Sequence, residues 1–476
     1  MASNEDEQQW ARLVLVADLF GQSQPTDRSR LAVENQDIDL VLIEFVQYGG
    51  PGGQLGEGEF GQVGMKGGPD GRDDVLAGAR VGRIDTDAQR DTGRFRCGTH
   101  GPDASRAWSS MMTQWETMPS LTRPRAAVVG GGICGLAAAV ALTRRGWDVV
   151  VFEETPSVVV GAGITIWSNG IAVLTVLGVA DGVRALANDM PRVRILQSSG
   201  RELMRQCSAP GEMLALHRRD LNAALVDGLD DGVVRPATRA TVVDVRRGIV
   251  AADGREESFN LVVAADGVHS QTRLQWWPEA GGERDCGIRA WRAVVDGATD
   301  EAINVWGSSG ECGILPLPGD TTYVFGASRG RAREKGLAHF DGWIEPVPAM
   351  LAAIGEPIVH DLTELAPVRS PVKGRTVLVG DAAHAMRPHL GQGAGLSLED
   401  AVVLAQHCTS SGEFDGVGFT AARRRRWATV AWMARRATPM MMPANRFAGL
   451  PQTFASILPD RMMLSLTDRI ASWRPN

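Results

Sequence analysis

The chain has 476 residues, 44% of them apolar and 22% charged, with a formal net charge of −7. That length suffices for two or three domains around a large core, and the acidic balance offers no field for nucleic acid. The opening MASNEDEQQW is the wrong flank for a secretory signal, and nowhere is there an apolar run of the roughly 18 residues that mark a membrane span. A cytoplasmic protein without integral membrane association is expected.

Residues 1–120 read differently from the rest. Breaker clusters at Gly49-Gly50-Pro51-Gly52-Gly53 and Gly67-Gly68-Pro69-Asp70-Gly71 lie among polar and charged residues, so a packed core is not expected. Ile38–Val46 is apolar enough for a strand or short helix but has no evident partner. The region reads as a disordered extension, or as the product of a start of translation set ahead of Met118. From Arg125 the pattern changes. Ala126–Val129 is a short apolar strand, Gly132–Arg145 has helical spacing and stops at Gly146, and Asp148–Phe152 is a second strand. Together they make a βαβ opening. Leu221–Leu229 reads as a helix and Thr241–Ala264 as strands turning at Asp253-Gly254. Residues 286–326 alternate apolar and polar as in an antiparallel sheet. Thr376–Val379 is another strand, a helix follows from about Leu396, and the chain is mostly helical from Gly418.

The cysteines Cys97, Cys134, Cys207, Cys286, Cys312 and Cys408 form neither a CxxC pair nor a zinc spacing, so reduced thiols and no metal site are expected. The chemistry lies in glycines at strand ends. Gly130-x-Gly132-x-x-Gly135 joins the first strand to the first helix, and Glu153 closes the second strand. Gly130 permits the tight turn, Gly132 lets the backbone approach a pyrophosphate, and Gly135 lets the helix pack on the sheet. The pyrophosphate then meets free N–H groups at a helix N-terminus, while Glu153 can accept from a ribose hydroxyl. This cradle alone does not separate FAD from NAD. Two more strand ends do: Ala264-Ala265-Asp266-Gly267, and Val379-Gly380-Asp381, which runs through Pro388-x-x-Gly391-Gln392-Gly393-Ala394-Gly395 to Glu399-Asp400.

With these three segments in order, the chain resembles the FAD-dependent aromatic monooxygenases of the para-hydroxybenzoate hydroxylase type, nearest the salicylate, urate and 3-hydroxybenzoate hydroxylase branch. The resemblance runs from Arg125 to the C-terminus. It implies an α/β fold in which a discontinuous Rossmann-like FAD-binding domain (121–190, 207–275 and 371–405) carries an inserted antiparallel β-sheet substrate domain (191–206 and 276–370), with a helical C-terminal segment (406–476). It further implies that Asp266, Asp381 and Arg218 contact FAD, and that Pro388, Gly391, Gln392, Gly393 and Ala394 form a loop whose N–H dipoles suit the flavin's pyrimidine edge. Ser168 stands where the family more often has proline.

No second glycine cradle exists, so NADPH or NADH is expected to visit transiently as co-substrate. The cycle implied by the resemblance reduces FAD, adds O2 to give a flavin hydroperoxide, and hydroxylates a small aromatic or heteroaromatic ring. Epoxidation of an olefinic or polyketide substrate is the nearest enzymatic rival, and a non-catalytic flavin-binding module is the rival of another class. The missing W-x-W-x-I-P pattern argues against a halogenase. In Ile288–Val294, strand alternation sets Arg289 and Trp291 on one face and Arg292 on the other. Arg292 is the candidate contact for substrate. No general base is assigned: His217, His269, His384 and His389 read as structural, and the Arg423–Arg426 run reads as a solvated helix face.

Overall fold

The computed structural model describes residues 123–156, 162–207, 212–444 and 469–475, together with four strands ahead of them. Residues 1–121 and 122–476 form two separate units. In the first, Ser29–Asn35 pairs antiparallel with Ile38–Phe45, and Val81–Ile84 with Phe95–Cys97. The apolar stretch at Ile38 thus has a partner, contrary to expectation: it is the second arm of a hairpin. The other residues of 1–120, and with them the reading of that region as disordered, lie outside the described residues.

The second unit is built on two sheets. Strands β1 (Arg125–Val129), β2 (Asp148–Phe152), β7 (Val234–Arg235), β8 (Leu261–Ala264), β14 (Val372–Lys373) and β15 (Thr376–Leu378) form a six-stranded sheet of order β7-β2-β1-β8-β15-β14. All neighbours in it are parallel except β14 and β15. Its strands are near-continuous apolar runs such as RAAVV and LVVA because both faces are covered. Helix α1 (Ile133–Thr143) is apolar all round, and every residue from Ile133 to Leu142 is buried. It lies in one core with α6 (Gly393–Gln406), which is buried from Gly395 to Ala405. Helix α6 starts three residues earlier than the spacing suggested, since Gly393, Ala394 and Gly395 lack the large apolar side chains that mark helical periodicity.

The second sheet has seven strands: β4 (Val193–Gln197), β5 (Glu202–Cys207), β9 (Arg284–Asp296), β10 (Ala302–Gly307), β11 (Gly310–Leu317), β12 (Thr321–Arg329) and β13 (Ile358–Glu364), in the order β5-β4-β10-β11-β12-β9-β13. It is antiparallel except where β4 joins β10 in parallel. On its outer face Trp291, Val305, Ile314 and Val324 pack with Phe340 and Leu351. Its inner face meets the first sheet's loops and the end of α7 (Gly416–Met441), where Ala437, Met441 and Met442 pack on Ile288, Ala290 and Trp306. Strand β3 (Gly163–Trp167), helix α2 (Ser168–Val176), strand β6 (Met213–His217) and helix α3 (Arg218–Val226) connect the two sheets, and the short helices α4 (Gln271–Trp276) and α5 (Val347–Ala352) follow.

Candidate active site

Parallel pairing aligns the ends of four strands. Val129 lies beside Phe152 and beside Ala264, which in turn lies beside Leu378. The residues that follow, Gly130, Glu153, Ala265-Asp266 and Val379-Gly380-Asp381, therefore form one row at the carboxyl edge of the sheet, the edge where open α/β sheets bind ligands. Backbone hydrogen bonds continue into the row: Gly130 N donates to Phe152 O at 2.8 Å, Ala265 N to Val129 O at 2.9 Å and Val379 N to Ala264 O at 3.1 Å.

The backbone at Gly130 and Gly135 has the tight turn and the close helix packing that their spacing suggested. Gly130 has φ +104°, and a Cβ there would stand 2.4 Å from Ala265 O. A Cβ on Gly135 would stand 2.0 Å from Gly130 O, so only glycine lets α1 approach the turn this closely. A Cβ on Gly132 would meet nothing within 4 Å. That side is open, and α1 begins there with no side-chain cap, so its first N–H groups could meet an anion such as a pyrophosphate. Glu153 accepts from Gly131 N at 2.7 Å, Thr155 N at 2.8 Å and Thr155 Oγ1 at 2.6 Å. A carboxylate offers about four lone-pair sites, so capacity for a ribose hydroxyl remains.

Helix α6 also begins without a side-chain cap, just after Gly391 in the left-handed region at φ +62°. Asn169 Nδ2 donates to Gln392 Oε1 at 3.1 Å, which fixes this turn. Two buried polar atoms, one in the row and one in this turn, have no partner in the protein: Asp266 Oδ1 and Gln392 Nε2. Unpaired buried groups of this kind are costly unless a ligand takes them, and hydroxyl- and amide-bearing FAD suits both. Asp381 and Pro388 are exposed beside them, and Ala394 lies half-buried at the head of α6. Arg218 opens α3 and is exposed.

The inner face of the second sheet completes the space. Arg292 pairs across the ladder with Phe325 and Ile358, on the opposite face from Arg289, which makes a two-point ion pair with Asp361 at 2.8 and 2.9 Å. Tyr323 and Phe325 form a tilted aromatic pair 5.8 Å apart. A Cβ on Gly163 would stand 2.6 Å from the Tyr323 side chain, and one on Gly313 2.0 Å from the Phe325 ring. Burial raises the Tyr323 phenol above its ordinary pKa, against the opposing charges of Arg292 and Arg218, so it remains a hydrogen-bond donor at neutral pH. Burial lowers His360, and Arg292 and Arg218 lower it further. Both arginines thus bear on one space.

Behind the Pro388–Ala394 loop lies a charged cluster. Asp400 is fully buried and accepts from Gly380 N at 2.9 Å, His384 Nε2 at 2.6 Å, Arg423 Nε at 2.8 Å and Trp427 Nε1 at 2.7 Å. Glu399, also fully buried, pairs with Arg423 at 3.0 Å and Arg426 at 2.7 Å and accepts from Asn169 Nδ2 at 2.8 Å. The reading of Arg423–Arg426 as a solvated face is therefore wrong for Arg423, which is 1% exposed, and for the part-buried Arg426. These arginines tie α7 to α6. The signal was present in Phe419, Arg423 and Trp427, which recur every four residues on the buried stripe of α7.

The FAD binding domain family matches residues 124–315 and 362–411. An aurachin C monooxygenase/isomerase of Stigmatella aurantiaca is 36% identical over 59% of this chain and 79% of its own length. A 2-heptyl-3-hydroxy-4(1H)-quinolone synthase of Pseudomonas aeruginosa is 34% identical over 59% of this chain and 79% of its own. The chain belongs to the FAD-dependent aromatic monooxygenases. The fold of this monooxygenase is also that of Klebsiella pneumoniae HpxO complexed with FAD and uric acid, with TM-score 0.65 and 24% identity over 73% of this chain and 97% of that one. When bound, FAD supplies hydride acceptance and oxygen activation. With it bound, the N-terminus of α1 would face the pyrophosphate, that of α6 the flavin edge, and Tyr323 and Phe325 would wall the ring space. Among the described residues no helix is long and apolar enough to cross a membrane, and no cluster could hold a metal.

Proposed function

We propose that this monooxygenase hydroxylates a nitrogen heteroaromatic ring of the 4-quinolone class in the cytoplasm, using O2 and either NADH or NADPH. The observation that carries the reading is the wall opposite the flavin loops, where the Tyr323–Phe325 pair and Arg292 share one sheet face. A planar ring stacks on aromatic side chains there, and Arg292 attracts an electron-rich carbonyl oxygen. The 34% identity to a chain named for a 3-hydroxy-4(1H)-quinolone product supports this ring class over a monocyclic acid. We assign Gly130, Gly132, Gly135, Glu153, Arg218, Asp266, Asp381, Pro388, Gly391, Gln392, Gly393 and Ala394 to FAD, and Arg292 to the substrate.

The test is oxidation of NADH and of NADPH by the FAD-loaded chain with 4(1H)-quinolones, salicylate and urate, with products weighed by mass spectrometry under labelled O2. The expected result is oxidation stimulated by the quinolone and a product heavier by one labelled oxygen. Stimulation by salicylate or urate alone would move the substrate class, and bound FAD without ligand-dependent oxidation would make the chain a flavin-binding module.

A further inference from the structure

Where the flavin loop meets the substrate sheet, a buried acid–imidazole pair bridges the two. His389 stands in the loop between Asp381 and α6, and Glu311 stands on β11 of the sheet. Their side chains are 1% and 4% exposed, and His389 Nδ1 lies 2.8 Å from Glu311 Oε2. The other carboxylate oxygen, Oε1, accepts from Asn304 Nδ2 at 3.1 Å. With both oxygens engaged, the carboxylate fixes the imidazole tautomer: Nδ1 carries the proton and donates it to Glu311, and Nε2 presents a lone pair.

That lone pair has no partner in the protein, although it is buried, and neither have Asn304 Oδ1 and Trp306 Nε1. Asn304 and Trp306 are two apart on β10, and Trp306 pairs with Glu311 across the ladder, so the residues that carry these atoms are neighbours of Glu311. Alternation along β11 and β12 puts Glu311, Gly313 and Leu315 on the same face as Tyr323 and Phe325. An unmet buried acceptor costs about 1–3 kcal/mol, a cost that a bound donor would relieve. A histidine bound through Nδ1 and open at Nε2, on the sheet face that receives the substrate, has the arrangement of an oriented general base.

We propose that His389, positioned by Glu311, is the base that takes the ring N–H proton of the heteroaromatic substrate. In this step the substrate N–H bond breaks and an Nε2–H bond forms. The imidazolium is stabilised by the Glu311 carboxylate, and the electron pair left on nitrogen delocalises into the ring, making its carbon the stronger nucleophile toward the oxygen atom delivered at the flavin. His389 is the catalytic residue and Glu311 the positioning residue. The assignment rests on the heteroaromatic reading above.

Two ligands of equal shape test it: 4(1H)-quinolone, which has the N–H, and chromone, in which a ring oxygen takes its place. Each is titrated into the FAD-loaded full chain, with the flavin absorbance change giving Kd. The wild type is expected to bind the quinolone at least about tenfold more tightly, because chromone sets one lone pair against another. His389→Ala is expected to bring the two within about twofold. In Glu311→Gln the amide donates to Nδ1 and moves the imidazole proton to Nε2, so the preference is expected to shrink or reverse while bound FAD is unchanged. Product formation from the quinolone is expected to fall about a hundredfold in both variants. A wild type that binds the two ligands equally, or an unchanged preference in both variants, overturns the dyad and leaves the substrate class standing. A wild type that binds neither ligand overturns the substrate class and the dyad together. Glu311→Gln is nearly isosteric, so it answers the question even if His389→Ala fails to fold.

Discussion

Asp400→Ala is expected to lower folding stability by about 3–5 kcal/mol, because it strands Arg423 and His384 without their shared carboxylate. Arg423 and the His384 side chain are each 1% exposed, and Arg423 would keep only Glu399 as a charged partner. The loss reaches the flavin site as well, since Asp400 holds Gly380 N at the turn before Asp381. The pH dependence follows from the same cluster. Burial alone would raise the Asp400 carboxyl, but His384, Arg423 and the hydrogen bonds outweigh it and hold the pKa at about 2. An unfolded aspartate titrates near about 3.9. The folded pKa is thus depressed, so this contribution is fully present above pH ~4 and is lost as pH falls toward ~2. Urea denaturation midpoints of the wild type should drop across that window, and those of Asp400→Ala should lack this part of the drop. Equal midpoints for wild type and variant at pH 7 would show that the cluster adds nothing.

Gly135→Ala is expected to weaken FAD binding by about ten- to hundredfold, the equivalent of one or two charge-assisted hydrogen bonds. The added Cβ would stand 2.0 Å from Gly130 O, which is backbone and cannot swing away. Helix α1 must move off the sheet, taking its first N–H groups out of reach of the pyrophosphate. Gly132→Ala is the informative companion, because its Cβ meets no protein atom within 4 Å. It should leave the denaturation midpoint near that of the wild type and still weaken FAD, by crowding the phosphate alone. Calorimetric titration with FAD and thermal denaturation without it check both variants. If Gly132→Ala binds FAD like the wild type, the pyrophosphate does not lie against that glycine.

The strand-end row was legible in the sequence because each of its parts is local. A glycine triplet between a strand and a helix, or an Asp-Gly after an apolar run, states its own geometry, and parallel pairing then brings the strand ends together. Alternation similarly sorted Arg289 and Trp291 from Arg292 within one strand. What was not legible depends on contacts far along the chain. Glu311 and His389 are 78 residues apart, and nothing around either one says that a sheet face and a loop will meet. Arg423 looked solvated because charge suggests surface, and its partner Asp400 lay in a segment already explained by the flavin loop. The parallel joint between β4 and β10 was hidden for the same reason, as register between distant strands leaves no mark within either.

The most direct test of the central claim is titration of FAD into the purified full chain, followed by absorbance and by quenching of flavin fluorescence. A saturable binding of one FAD per chain, weakened in Gly132→Ala and again in Asp381→Ala, is the predicted result. A wild-type chain that takes up no FAD, or one whose affinity neither substitution alters, would contradict the placement of the cofactor along the strand-end row.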